Sequence, residues 1–454
     1  MEPRQVRTAA DARRIVQERG LRHVKVGVHD LDGILRGKYL HVDKFGAALD
    51  GGMGFCDVVL GWDSNDQLYD NVSYTGWHTA YPDAAVRILP DTCREIATEP
   101  GNLLFLCEFA DGAEALCPRG LLRRVLAQAA EMGFEVKVGF EYEFFVFAET
   151  AFSIREKGYR GLKPISPGFF GYSMLRNSVL SDWYRDLLDM CEAMDMGIEG
   201  LHTETGAGVL EAALRVRDGL GAADAAALFK LYTKVLAQKR DWLATFMAKW
   251  SKDWPGCGGH MHMSLWKDGK PAFHDEAAPH RMSLIMRHFV GGQKALMPEL
   301  LAMVASNVNS YRRLIPGFWA PTVASWGVEN RTTSLRVIPG SPKSTRIEYR
   351  VAAADAHPYL ALAAAVASGL WGIANGIDPG DPVQGNSYEV EHPADRQLPR
   401  TLMEAAGRLK TSKAARALFG DAFVDHYSAT REWEEREFRK AITEWELDRY
   451  MEII

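Results

Sequence analysis

The pattern of apolar and polar positions divides the chain into two parts of different character. An amphipathic helix near the N-terminus is followed by VKVGVHDLDGILRGKYL, whose alternation predicts a hairpin with Asp32-Gly33 at the turn. The glycine-rich GGMGFCDVVLGW and two strand-like runs, AVRILP and NLLFLCEF, complete a small strand-rich unit. From Pro118 the pattern changes to a helix, LLRRVLAQAAEMG, then to long alternation of strands and helices, with a helical stretch from Leu398. Two units are expected, residues 1–110 and 111–454. Leu360 to Ala374, the most apolar long stretch, falls short of the roughly 20 residues that span a bilayer and predicts a buried helix.

Three of the predicted strands carry charge where a plain sheet would not. In FEVKVGFEYEFFVF, period two places Val136, Val138, Phe140, Tyr142 and Phe144 on one face and Glu141 and Glu143 on the other. GGHMHMSLW sets His260, His262 and Ser264 opposite Met261, Met263 and Leu265. STRIEYRVA sets Arg346, Glu348 and Arg350 opposite Ile347, Tyr349 and Val351. One such strand reads as a solvated sheet surface, but three together, all rich in aromatic and sulfur side chains, predict a curved sheet with a polar concave face. Buried charges persist there only when paired or bound to metal.

Composition narrows the partners. The 454 residues hold 53 Lys plus Arg against 59 Asp plus Glu, a net charge of -6, which lacks the basic excess that favours nucleic acid or an anionic membrane. Small-molecule partners are expected instead. The six cysteines show no C-x-x-C pair, so they read as reduced thiols. The charged N-terminal stretch lacks the apolar core of a secretory signal, and a cytoplasmic location is expected.

Between the charged strands lies GLHTETGAGVLEAAL, with Glu204 and Glu211 on either side of a glycine-rich bend. Glu141, Glu143, Glu204, Glu211 and Glu348 with His260 form an oxygen-rich ligand set with one imidazole, suited to Mg2+ or Mn2+. Clustered carboxylates of this number cannot all ionise without cations. Arg313, Arg331, Arg336, Arg346 and Arg350 add guanidinium groups suited to phosphate or carboxylate. Metal ligands plus arginines point to phosphoryl transfer, in which the protein positions groups and neutralises spreading charge.

Taken in order, EYEFF at Glu141, TETGAGVLE at Glu204, GGHMHMS at His260, IPGFWAP at Pro316, ENRTTSLRVIP at Arg331 and RIEYRVAAADAHPYLA at Arg346 resemble the glutamine synthetase family. The resemblance implies an α+β fold: a small N-terminal β-grasp-like domain and a large catalytic domain with a curved, mainly antiparallel sheet. It implies one divalent cation on Glu143, Glu204 and Glu211, a second on Glu141, His260 and Glu348, and two to three Mg2+ or Mn2+ per site. His262 and Ser264 would face the nucleotide, with Arg336 and Arg346 on its phosphates. Arg313, Arg331 and Arg350 would grip glutamate and the transferred phosphoryl group, and Gly256 would lie beside the amino acid. ATP would be a co-substrate, and the family's double-ring dodecamers place the site between subunits. The implied reaction is attack of the glutamate γ-carboxylate on ATP, followed by displacement of phosphate by an amine.

The sequence departs from the ammonia-using pattern at three places. The family's PGYEAP loop, whose glutamate covers the site and binds ammonium, reads Pro316-Gly317-Phe318-Trp319-Ala320-Pro321. Trp319 accepts no N–H bond and carries no proton of useful pKa, but it offers a π surface. The FDGSSIxGW element is replaced by Phe55-Cys56-Asp57-Val58-Val59-Leu60-Gly61-Trp62, and Pro255 stands where an asparagine belongs. An organic primary amine is therefore the expected acceptor, with Trp319 at its site and Glu329 a candidate to orient or deprotonate it. The alternatives are an ordinary ammonia-dependent enzyme in which Asp57 or Glu329 replaces the lost acid, a catalytically silent oligomer, and a ligase for a different acid. Tyr388 falls where some bacterial members carry an adenylylated tyrosine; here it reads as structural.

Overall fold

The computed structural model describes residues 1–454 and contains two sheets. The first occupies the N-terminal part. His23–His29 and Leu35–His41 form an antiparallel hairpin, and Val42–Gly51 is a helix. Leu103–Phe109 then inserts parallel to His23–His29 and antiparallel to Asp83–Ile88, with Met53–Cys56 at the edge. A parallel central pair flanked by hairpin strands is the β-grasp arrangement expected. The hairpin turn differs from the two-residue form: Asp30 and Ile34 still pair, leaving Leu31-Asp32-Gly33 as a three-residue turn with Gly33 at φ 83°. The Asp30 carboxylate accepts from the Asp32 and Ile34 amides, a local turn that competes with a tighter one.

The second sheet has ten strands and curls around a polar face. Its main path runs Trp326–Val328, Leu335–Ile338, Arg346–Tyr349, Gly259–Lys267, Glu135–Phe147, Val209–Leu214 and Ile198–Thr203. All neighbours on this path are antiparallel except the first pair. The period-two reading holds along Glu135–Phe147: Val136, Val138, Phe140, Tyr142 and Phe144 are buried on the convex side, while Glu141 and Glu143 face the concavity half-buried.

The convex side is covered by helices. Pro358–Ala374, the predicted buried helix, packs along Leu284–Val304, and a Cβ at Gly292 would lie 2.5 Å from the Gly372 Cα, so the two backbones meet where neither carries a side chain. No helix is long and apolar enough to cross a membrane. All six cysteines are free, five of them buried.

Buried polar links tie the two sheets together. The Arg119 guanidinium donates to Glu108 on the first sheet and to both Asp224 oxygens, at 2.8 and 2.9 Å, on helix Gly219–Gln238. Arg431, on helix Asp421–Phe438, donates to Asp32 at 2.6 Å. His426 on the same helix has its Nε2 2.8 Å from the Leu60 carbonyl oxygen. One continuous apolar core runs through both parts.

Candidate active site

The register of the curled sheet fixes the site. Antiparallel pairing sets Glu143 opposite Glu211, and Glu211 opposite His202, forming one row across three strands. A second row is Arg336, Glu348 and His262, and Glu141 pairs with His260 between them. Every residue named here points to the concave face because each strand obeys the same alternation. The rows line a cavity of about 470 Å3 that also takes in Glu204, Gly256, Arg313, Arg331, Arg350 and Trp319.

Hydrogen bonds and charge shape the floor. His260 Nδ1 lies 3.0 Å from Glu141 Oε1 and 3.4 Å from Glu348 Oε1. Burial raises the Glu141 carboxyl, but hydrogen bonds with His260 and His262 outweigh it and hold the group well below the usual range. Glu348 is likewise lowered, its burial overcome by His260 and Arg350. Glu143 behaves in the opposite way: burial and the facing Glu211 push it up to about 8, although the Gly258 amide donates to it. Burial also raises Glu211, only partly relieved by His202 at 3.1 Å.

Two observations fit divalent cations. The buried His260 Nε2 has no hydrogen-bond partner. Glu143 and Glu211 face each other without enough protein cation to ionise both, although Arg313 is close. Glu141, His262 and Glu348 offer ligand atoms within 4.8 Å of one another, and so do His202, Glu204 and Glu211. Gly258 makes this crowding possible, since a Cβ there would lie 2.5 Å from His260 Nε2 and 3.1 Å from Glu143 Oε2.

Arg313, Arg336 and Arg350 are held by protein partners before any ligand arrives. Arg313 is buried and donates to the Val351 and Arg350 carbonyls at 3.1 and 3.2 Å. Arg350 donates to Glu348, and its buried Nε has no partner. Arg336 donates to Glu348 at 3.0 Å and to Glu329. Gly256 has no room for a side chain: a Cβ would stand 2.6 Å from the Ala248 carbonyl and 2.8 Å from Arg313 Cγ.

Four sequence-selected residues lie apart from this cavity. Ser264 and Arg346 line a second cavity of about 410 Å3, with Lys343 and Ser344, that shares Glu141 and His262 with the first. Arg346 Nε donates to His262 Nδ1 at 3.2 Å. Glu329 is half-exposed and bound by Arg336 at 3.0 Å, outside the residues that line the main cavity. Asp57 is buried and accepts from Thr75 at 2.7 Å.

Sequence reasoning missed His202, Tyr172 and Phe318. His202 shares a face with Glu204 by the i, i+2 rule, a signal present in the sequence. Tyr172 packs against His202 with ring centroids 4.5 Å apart and the planes tilted by 31°, from a loop that carries no periodic pattern. Phe318 and Trp319 are both exposed at the cavity, with Lys249 Nζ 4.5 Å above the Phe318 ring.

Comparison with known proteins agrees with this geometry. A model of the glutamine synthetase catalytic domain matches residues 115–450. Type-1 glutamine synthetase 2 of Dictyostelium discoideum is 45% identical, over 95% of this chain and 84% of its own. A glutamate–isopropylamine ligase of Pseudomonas sp is 36% identical over 97% of both chains. The solved structure of GmaS with ADP superposes with a TM-score of 0.85 at 25% identity, covering 97% of this chain and 99% of that one. With its carboxylate rows on a curled sheet and its arginines around one cavity, the chain belongs to the glutamine synthetase family.

Proposed function

We propose that the protein is an ATP-dependent ligase that activates the glutamate γ-carboxylate and joins it to an organic primary amine. The observation that carries this reading is Trp319: where an ammonia-using enzyme needs a carboxylate, the loop Pro316–Pro321 presents an exposed indole beside Phe318 at the cavity. An aromatic surface binds an alkyl or aryl substituent and excludes the water that would hydrolyse an acyl phosphate.

The residues divide the work as follows. Glu143, Glu204 and Glu211 would hold one divalent ion and Glu141, His260 and Glu348 a second, Mg2+ or Mn2+, neutralising charge on the nucleotide phosphates. His262, Ser264, Arg336 and Arg346 take the nucleotide, a role supported by the second cavity that opens beside His262. Arg313, Arg331 and Arg350, with Gly256, hold glutamate and the moving phosphoryl group. A γ-carboxylate oxygen attacks the γ-phosphorus and ADP leaves. The amine nitrogen then attacks the acyl carbon, phosphate leaves, and the proton the nitrogen gives up passes to the departing phosphate. Glu329, engaged by Arg336, is left out of that last step.

The larger setting follows the same reading: residues 1–110 and 111–454 as two domains, a cytoplasmic enzyme, and a dodecamer with sites between subunits. Exposed Trp445, Met451 and Ile453 near the C-terminus support association. The second reading, an ordinary glutamine synthetase, is favoured by the name of the 45% identical relative.

Phosphate release with ATP, glutamate, Mg2+ and a panel of acceptors tests the choice. Methylamine, ethanolamine, isopropylamine, aniline, putrescine and ammonia form a sufficient panel. At least one organic amine should exceed ammonia in kcat/KM by about tenfold or more. Ammonia as the best acceptor would remove the proposal.

A further inference from the structure

Trp319 has φ 57°, in the left-handed region that a bulky side chain rarely adopts. Such a conformation persists only where the surroundings fix it. Within one chain the indole does not supply the restraint, since Trp319 is 62% exposed there. The restraint is on the backbone that follows. The Trp319 carbonyl accepts from Arg350 Nη2 at 3.5 Å, the long end of the hydrogen-bond range, and the Ala320 carbonyl accepts from the Tyr388 hydroxyl at 3.0 Å.

Tyr388 is itself held in place. Asn330 Nδ2 donates to the Gly385 carbonyl at 2.8 Å, the Ser387 amide donates to Thr332 Oγ1 at 2.9 Å, and the Val383 amide donates to the Trp326 carbonyl at 2.9 Å. Residues 383–388 therefore form a strap laced to the segment that carries Arg331 and ending in the phenol that holds the Trp319 loop.

We propose that Tyr388 is a positioning residue for the acceptor step: its hydroxyl fixes the Ala320 carbonyl and so keeps Trp319 over the cavity. The inference rests on the reading of Trp319 as the cover of the acceptor site. Tyr388 lines neither the main cavity nor the one beside His262; it acts through the loop.

Tyr388→Phe removes one oxygen and leaves the ring. Using whichever acceptor the wild-type enzyme prefers, its KM should rise about five- to tenfold, the scale of one lost hydrogen bond. The KM values for ATP and glutamate should stay unchanged. Phosphate release without any amine, in which water takes the acyl group and returns glutamate, should rise relative to amide formation. In a Trp319→Ala background the same substitution should change acceptor KM no further, because the group it positions is gone. Unchanged acceptor KM overturns the proposal. So does a parallel loss in every kinetic parameter with a lowered Tm, or an undiminished effect in the Trp319→Ala background. The acceptor panel with wild-type enzyme judges the amine reading, whereas the variant-to-wild-type ratio with the preferred acceptor, ammonia included, judges the role of Tyr388.

Discussion

Glu143 and Glu211 stand directly opposite each other on adjacent antiparallel strands, half-buried on the concave face of the sheet. Like charges so placed oppose folding unless a cation lies between them. The Glu143 carboxyl accordingly rises to about 8, through burial first and Glu211 second.

For the metal-free protein the sign follows from that value. A carboxyl raised above its ordinary range keeps its proton in the fold where the unfolded chain has lost it, so its cost grows from about pH 4.5 to pH 8 and is full above. Glu143→Gln should then stabilise the metal-stripped protein at pH 8 by a few kcal/mol. Mg2+ or Mn2+ should raise the Tm of the wild type and do so much less for the variant. Thermal melts with and without chelator measure both; a variant that melts lower without metal and still responds fully to it would contradict the arrangement.

Trp319→Glu restores a carboxylate to the cavity beside Arg350 and Phe318. Ammonia kcat/KM should increase about tenfold, and the best organic amine should lose at least as much. Competition between ammonia and that amine, read by product mass, checks the shift. An unaltered preference would mean that the indole merely packs.

His426 predicts acid sensitivity of the fold. Burial holds its pKa at about 4, the hydrogen bond to the Leu60 carbonyl opposing only in part. Below the ordinary value of 6.5 the unfolded chain takes a proton that the folded imidazole refuses, so stability falls as pH drops from 6.5 toward 4. At pH 5 the penalty is about 2 kcal/mol. His426→Gln keeps an N–H for the Leu60 carbonyl and does not titrate. Its Tm relative to wild type should therefore improve between pH 7.5 and pH 5, and a difference independent of pH would count against this account.

Much of the site was legible because it rests on strands. Alternation alone oriented Glu141, Glu143, His260, His262 and Glu348 toward one face, and register then brought them together. The same rule extends from Glu204 to His202, two residues before it. What stayed hidden depends on contacts between distant loops. Nothing in the spacing of Glu329 and Arg336 says that they pair across the Trp326–Ile338 turn, and Tyr172 reaches His202 from a segment without periodicity. The hairpin turn is one residue longer than the alternation predicts, since Asp30 organises it through its side chain and Gly33 sits at its end rather than its centre.

The division between strand-borne and loop-borne groups has an evolutionary consequence. Inserting or deleting one residue in the strands that carry the acidic rows would turn every ligand to the opposite face and abolish activation of the acid outright. In the segment from Pro316 to Pro321 only the backbone is tied, through the Trp319 and Ala320 carbonyls, so the exposed side chains of Phe318 and Trp319 can change while the phosphoryl machinery stays intact. A lineage built on this scaffold can exchange one nitrogen donor for another by small steps, each passing through a working enzyme.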